Sequence, residues 1–148
     1  MNKIMTTDGD KLIGTWKLLS FELINKTSDK IFYPYGKNPI GTLIFSADNF
    51  MTVTIMADNR ENLSVESIQM ATEQEKIKTI ESYLSYSGTW RIDNDKIFVT
   101  VLVSLLPNWT NKEHYRYFKI SGNKLTFQTP TMKQGDNEIY IELSWTKA

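Results

Sequence analysis

The chain has 148 residues, 17 of them basic and 17 acidic, and it has no cysteine. A chain of this length suits one domain with one core. Balanced charge disfavours partners that are recognised by charge, such as nucleic acid or an anionic membrane. The absence of cysteine excludes disulfides, thiolate catalysis and cysteine-bound metal centres.

The first ten residues contain no apolar stretch long enough for a signal peptide, and no run of about 18 apolar residues occurs in the chain. We therefore expect a cytoplasmic protein that binds neither membranes nor nucleic acid. We also expect one domain over residues 1–148, with residues 1–9 flexible.

Short β-type segments separated by turn residues make up most of the chain. Apolar alternation and turn residues predict about eight strands. They cover residues 16–24, 41–45, 50–56, 85–92, 97–103, 115–120, 124–129 and 139–146. The second and third of these form a hairpin, because residues 46–49 all favour turns.

One amphipathic helix interrupts the strands. Thr72 and Glu75 have the spacing of a capping box, and Ile77, Ile80 and Leu84 share one face at helical spacing. The segment 58–84 has few apolar residues before Ile77, so we expect it to act as a lid or side cover that opens more readily than the strands.

Short turns between strands, without an internal repeat, favour an all-β antiparallel up-and-down barrel. Pairing of the last strand with the first would remove the two edges of the sheet. A β-sandwich is the alternative, because periodicity alone does not distinguish the two architectures.

The order and spacing of several motifs resemble the lipocalin-like domain family, a branch of the calycin-type barrels. The resemblance covers residues 12–18, 39–45, 83–90, 103–109, 115–118 and 143–145. It implies a barrel of about eight or nine antiparallel strands around a central cavity. Members of the family often have a histidine in the strand before Ser104, where this chain has Val99 and Thr100, so catalysis by that histidine is not expected.

The Gly14-x-Trp16 motif predicts a tryptophan that plugs one end of the barrel. Lipocalins proper stack an arginine from the last strand on this tryptophan. The last strand here offers Lys147, so the resemblance implies a weaker cation–π contact.

Several candidate cavity residues lie in or next to the predicted strand 115–120. His114, Arg116 and Phe118 share a parity and should lie on one face of that strand. An interior Arg116 needs Glu22, Glu142 or a ligand carboxylate as partner, whereas an outward Arg116 would be solvated. The bulky apolar loop 105–109 predicts a rim that includes Trp109.

The predicted ligand-binding set comprises Arg116, Trp109, His114, Tyr140, Glu22, Trp90 and Phe118. His114 is the only histidine, so we assign no metal site, cofactor or catalytic residue.

These features favour a non-enzymatic protein that binds a small apolar or aromatic molecule in a barrel cavity. A template-type cyclase or isomerase is one alternative, because catalysis by confinement needs no nucleophile or metal. A β-barrel that serves as an interaction or structural module is another.

Overall fold

The structure is a computed structural model that describes residues 8–148. Its strands are β1 (Gly14–Asn25), β2 (Lys30–Phe32), β3 (Ile40–Phe45), β4 (Phe50–Met56), β5 (Tyr83–Asp93), β6 (Lys96–Ser104), β7 (Glu113–Ser121), β8 (Lys124–Gln128), β9 (Met132–Gln134) and β10 (Asn137–Lys147). Its helices are α1 (Asp8–Leu12) and α2 (Glu73–Glu81), with 3-10 helices at Ile68–Met70 and Pro107–Trp109.

All the strands described belong to one antiparallel sheet in the order β2-β1-β3-β4-β5-β6-β7-β8-β10-β9, and β10 also pairs with β1. The long β1 pairs with β10 along one side, and with β3 and then β2 along the other. A closed 8-stranded barrel results, to which β2 and β9 are additions. The predicted up-and-down barrel is confirmed, and the sandwich is excluded because a single sheet closes on itself.

Burial follows the parity of the strand sequences. In β4, Met51, Val53 and Ile55 are buried while Thr52 and Thr54 are exposed. Because side chains alternate between the two faces of a strand, this pattern fixes which face of the sheet becomes the barrel interior.

Trp16 plugs the end of the barrel that α1 covers. Its ring is 1% exposed, and its Nε1 donates a hydrogen bond of 2.8 Å to the carbonyl of Leu12 in α1. Lys147 Nζ lies 4.5 Å from the ring centroid and donates to the carbonyl of Ile13 at 2.7 Å. The predicted plug and its lysine cation–π contact are confirmed.

Helix α2 has the predicted capping box but buries no residue. Thr72 Oγ1 accepts from the Glu75 amide, and the Glu75 carboxylate accepts from the Thr72 amide. The predicted face of Ile77, Ile80 and Leu84 is wrong. The helix ends at Glu81, Leu84 faces inward from β5, and Ile77 and Ile80 are 50% and 57% exposed. The cause is the pairing of Tyr83 with Met56, which starts the strand directly after the helix.

Asp8 and Gly9, which we expected to be flexible, form the start of α1. The rest of that predicted flexible segment, residues 1–7, lies outside the described residues.

Candidate functional site

A cavity of about 620 Å³ lies inside the barrel, on the side of the core away from α1. Its walls are mainly inward-facing aliphatic and aromatic side chains: Phe21, Leu43, Val53, Ile55, Leu84, Phe127, Ile141, Leu143 and Trp145. Cavities that bind small molecules have volumes of roughly 300–1,000 Å³ and walls of this kind.

Loops that join the strands complete the cavity wall. Leu106 and Trp109 come from the β6–β7 connection, where the 3-10 helix begins at Pro107. The Trp109 ring packs edge-on against Tyr86, at 5.3 Å between centroids, and lies 5.0 Å from His114. The bulky segment predicted as a rim therefore lies beside the cavity.

Arg116 lies on the cavity wall, on the same face of β7 as His114. Its Nη1 donates a 2.8 Å hydrogen bond to the carbonyl of Tyr115. Within residues 8–148 the ion pairs are Lys11 with Asp8 and Arg91 with Glu113. No carboxylate of the described chain therefore forms a salt bridge with Arg116.

The predicted partners of Arg116 lie on the outer face of the barrel. Glu22 stands directly opposite Glu142 in the β1–β10 register. Glu142 accepts a 2.6 Å hydrogen bond from Gln128 Nε2. The cause is an irregularity between Leu18 and Ser20, which reverses the parity of β1 and turns Glu22 outward.

Tyr140 also lies on the outer face, because the inward residues of β10 are Ile139, Ile141, Leu143 and Trp145. It stands opposite Ile24. Neither Tyr140 nor Glu22 borders the cavity.

Trp90 and Phe118 face inward but belong to the packed core rather than to the cavity wall. Trp90 packs on Phe45 at 5.1 Å between ring centroids, and Phe118 is the cross-strand partner of Phe127. Of the seven predicted ligand-binding residues, the structure brings together Trp109, His114 and Arg116.

His114 occupies an environment that disfavours its charged form. Burial lowers the pKa of its imidazole, and the positive charges of Arg116 and then Lys112 lower it further, against a hydrogen bond with the Trp109 backbone. Its Nε2 is buried and has no hydrogen-bond partner among the described residues. His114, Arg116, Tyr86 and Trp109 all border a small void of about 10 Å³ beside the main cavity.

Tyr35 is a cavity residue that the sequence did not indicate. It lies in the β2–β3 connection, and its ring packs edge-on against Phe21 at 4.9 Å. Burial raises the pKa of its hydroxyl. The run Tyr33-Pro34-Tyr35-Gly36 could have indicated it. Two aromatic residues next to proline and glycine, which favour turns, are unusual in an otherwise polar connection.

The sequence model of the lipocalin-like domain matches residues 13–148. The chain belongs to the lipocalin-like domain family. No curated protein matches this lipocalin-like chain, whereas several solved structures are similar to it. One is an uncharacterized protein from Bacteroides eggerthii, 13% identical over 93% of this chain and 99% of the other, with a TM-score of 0.43. Another is a mutant of the fluorescent protein UnaG, 18% identical over 94% and 97%, with a TM-score of 0.40.

Residues 8–148 contain no group of three or more His, Cys, Asp or Glu side chains that could hold a metal ion. None of the helices in this range is long and apolar enough to cross a lipid bilayer.

Proposed function

We propose that this lipocalin-like protein binds a small, largely apolar molecule inside its barrel. The observation that supports the proposal is the cavity of about 620 Å³ with aliphatic and aromatic walls. Protein interiors normally pack as densely as organic crystals, so a volume of this size is not ordinary packing inefficiency. Covering apolar wall contributes roughly 25 cal/mol per Å², which gives an apolar ligand its affinity.

The rest of the core supports this use of the cavity. Leu12 of α1 is almost completely buried together with Trp16, Phe45 and Leu125, and these residues form a densely packed core. Because this packed core holds the barrel closed, the part of the barrel that contains the cavity need not be filled by side chains for the protein to fold. Because hydrogen-bonded strands form most of the cavity wall, we expect little ordering to be needed when a ligand binds.

A neutral, environment-sensitive dye such as Nile red tests the proposal. We expect the folded protein to increase the emission of the dye and to shift it to the blue, and lipophilic competitors to reverse both changes. Val53→Trp should abolish this response, because Val53 lines the cavity and the larger ring fills it. Thr52→Trp is the matched control, since it adds the same ring on the outer face of β4.

Equal dye responses from the two variants would contradict binding inside the barrel. Far-UV circular dichroism checks that each variant is folded, and Val53→Phe gives a milder filling of the same space. A template-type cyclase or isomerase would use this cavity too, but no feature of residues 8–148 favours catalysis over binding.

A further inference from the structure

We infer that the molecule bound in the cavity is a monocarboxylic acid, with its carboxylate on the guanidinium of Arg116 and its apolar body along the aliphatic wall. This inference rests on the proposed function and names its ligand class.

Arg116 is the one residue with an unbalanced charge on the cavity wall as the structure describes it. Glu113 is the carboxylate that borders the same space, and it pairs with Arg91 at 3.3 Å, with both side chains about half exposed. Glu22 and Glu142 are on the opposite face of the sheet, as the β1–β10 register requires. Arg116 is part-buried against a largely apolar wall, where a cation is less well solvated than in water, so the site favours an anionic ligand group.

The geometry of Arg116 favours a planar anion with a single charge. The carbonyl of Tyr115 accepts from Nη1 and so orients the guanidinium. An arginine has five N–H donors, and its fork matches the two oxygens of a carboxylate. One guanidinium balances one negative charge, which fits a carboxylate better than a phosphate dianion.

His114 is placed to sense an anion bound at Arg116, because its buried Nε2 has no hydrogen-bond partner among the described residues. It adjoins Arg116 at the void they share with Tyr86 and Trp109. The charged groups that act on His114 are Arg116 and Lys112, and both are positive. An anion bound at Arg116 would offset this positive charge and should therefore raise the pKa of His114.

The rest of the cavity fits the hydrocarbon part of such an acid. Beyond Arg116 and His114 the wall continues through Val53, Ile55, Leu84 and Leu143. These side chains offer no hydrogen-bonding groups, so a second polar group on the ligand would lose its hydration without compensation there. Tyr35 and Thr129 add hydroxyl groups to the wall but no charge, so the favoured ligand has one charged end and a largely apolar body.

The test compares dodecanoate with dodecanol, which have the same chain but differ in charge, by isothermal titration calorimetry. We expect Arg116→Met to weaken dodecanoate binding by about tenfold to a hundredfold and to change dodecanol binding by less than about threefold. Lys119→Met is the matched control, because it removes the same charge from the outward face of the same strand. It should leave both affinities unchanged.

Equal loss of both ligands in Arg116→Met, or no loss of either, would overturn the anion subsite and leave the apolar cavity intact. Failure of wild-type protein to bind either ligand would overturn the proposed function as well.

A second readout needs no variant. Because His114 is the only histidine, its imidazole C–H signal can be followed directly by NMR. Dodecanoate should raise its pKa and dodecanol should not; no difference between them would overturn the inference.

Discussion

Arg116 and His114 share one stretch of cavity wall, and the positive charge of Arg116 disfavours the charged form of His114. Burial is the main cause of the lowered pKa of His114, and Arg116 adds to it. At neutral pH the imidazole is therefore uncharged, and Arg116 supplies the positive charge of this part of the wall. In the proposed binding site, this pair would distinguish an anionic ligand from a neutral one.

The titration of His114 gives the first prediction. The imidazole signal should titrate below the ordinary value of 6.5, and Arg116→Met should move its midpoint upward because a positive neighbour is removed. A midpoint at or above the ordinary value would contradict the described environment.

The same shift predicts a pH dependence of stability. Because the folded pKa of His114 lies below the unfolded one, the unfolded chain binds the proton more tightly. The free energy of unfolding should therefore fall as pH drops below about 6.5, and this contribution should be fully present only above that pH. Urea unfolding at several pH values should show a flatter profile for His114→Gln than for wild type across this window. Parallel profiles would contradict the prediction.

Trp16 gives a prediction about the plug. Trp16→Ala should lower the free energy of unfolding by about 3–5 kcal/mol, because it removes a buried ring together with its hydrogen bond to Leu12. Denaturant unfolding measures the change, and Trp109→Ala, on the cavity wall, is the comparison. A loss below about 1 kcal/mol in Trp16→Ala would show that the ring does not hold this end closed.

The sequence predicted which face of a strand a residue occupies wherever side chains alternate regularly between the two faces, and the prediction failed where a strand is irregular. Arg116 and His114 were placed on one face of β7 by alternation alone. Glu22 shares the parity of Trp16 in the sequence, and only the irregularity after Leu18 turns it outward. An irregularity of this kind is decided by the neighbouring strands, so alternation within one strand does not reveal it.

Among the secondary-structure elements, the contact of β5 with β6 depends on a position without a side chain. A Cβ at Gly88 would lie 1.9 Å from the carbonyl oxygen of Thr100, next to the register shift between Ser87 and Gly88. Gly88→Ala should therefore destabilise the protein by about 3 kcal/mol, because the main chain of β5 or β6 would have to move to make room for the methyl group.

Gly122→Ala is the contrasting substitution for Gly88→Ala. Nothing lies within 4 Å of a Cβ there, and only its positive φ of 58° opposes a side chain. We expect it to cost about 1–2 kcal/mol. Equal thermal stability of the two variants would contradict the close approach of β5 and β6.

Helix α2 and the loop before it should open more readily than the strands of the barrel. The helix buries no residue, whereas Ile97 and Val101 of β6 are fully buried. Amide hydrogen exchange should be faster in Glu73–Glu81 than in Lys96–Ser104, because local opening there exposes little apolar surface. Equal protection of the two elements would contradict a role of this segment as a cover that opens.

The long, alternating strands were predicted to within a few residues, but the short ones were not. Strands β2 and β9 have three residues each, too few for alternation to be recognised. They form because β1 and β10 extend beyond the barrel and offer edges for pairing. The end of α2 was misplaced for a related reason, since the pairing of Tyr83 with β4 outweighs helical periodicity.

At the scale of the whole molecule, closure of the barrel divides the interior into two parts. The pairing of β1 with β10 brings Lys147 to Trp16 and completes the dense end. The other end contains the cavity, and three of its polar wall groups are His114, Arg116 and Tyr35. The barrel could be predicted from the strand pattern, whereas the size of the cavity could not, because volume depends on how all the inward side chains pack together.

The most direct test of ligand binding inside the barrel is a set of intermolecular nuclear Overhauser effects between dodecanoate and methyl-labelled protein. We predict contacts from the acyl chain to the inward methyl groups of Val53, Ile55 and Leu143, all of which line the cavity. Contacts confined to exposed methyl groups, such as those of Ile77 and Ile80 on α2, would contradict an internal site.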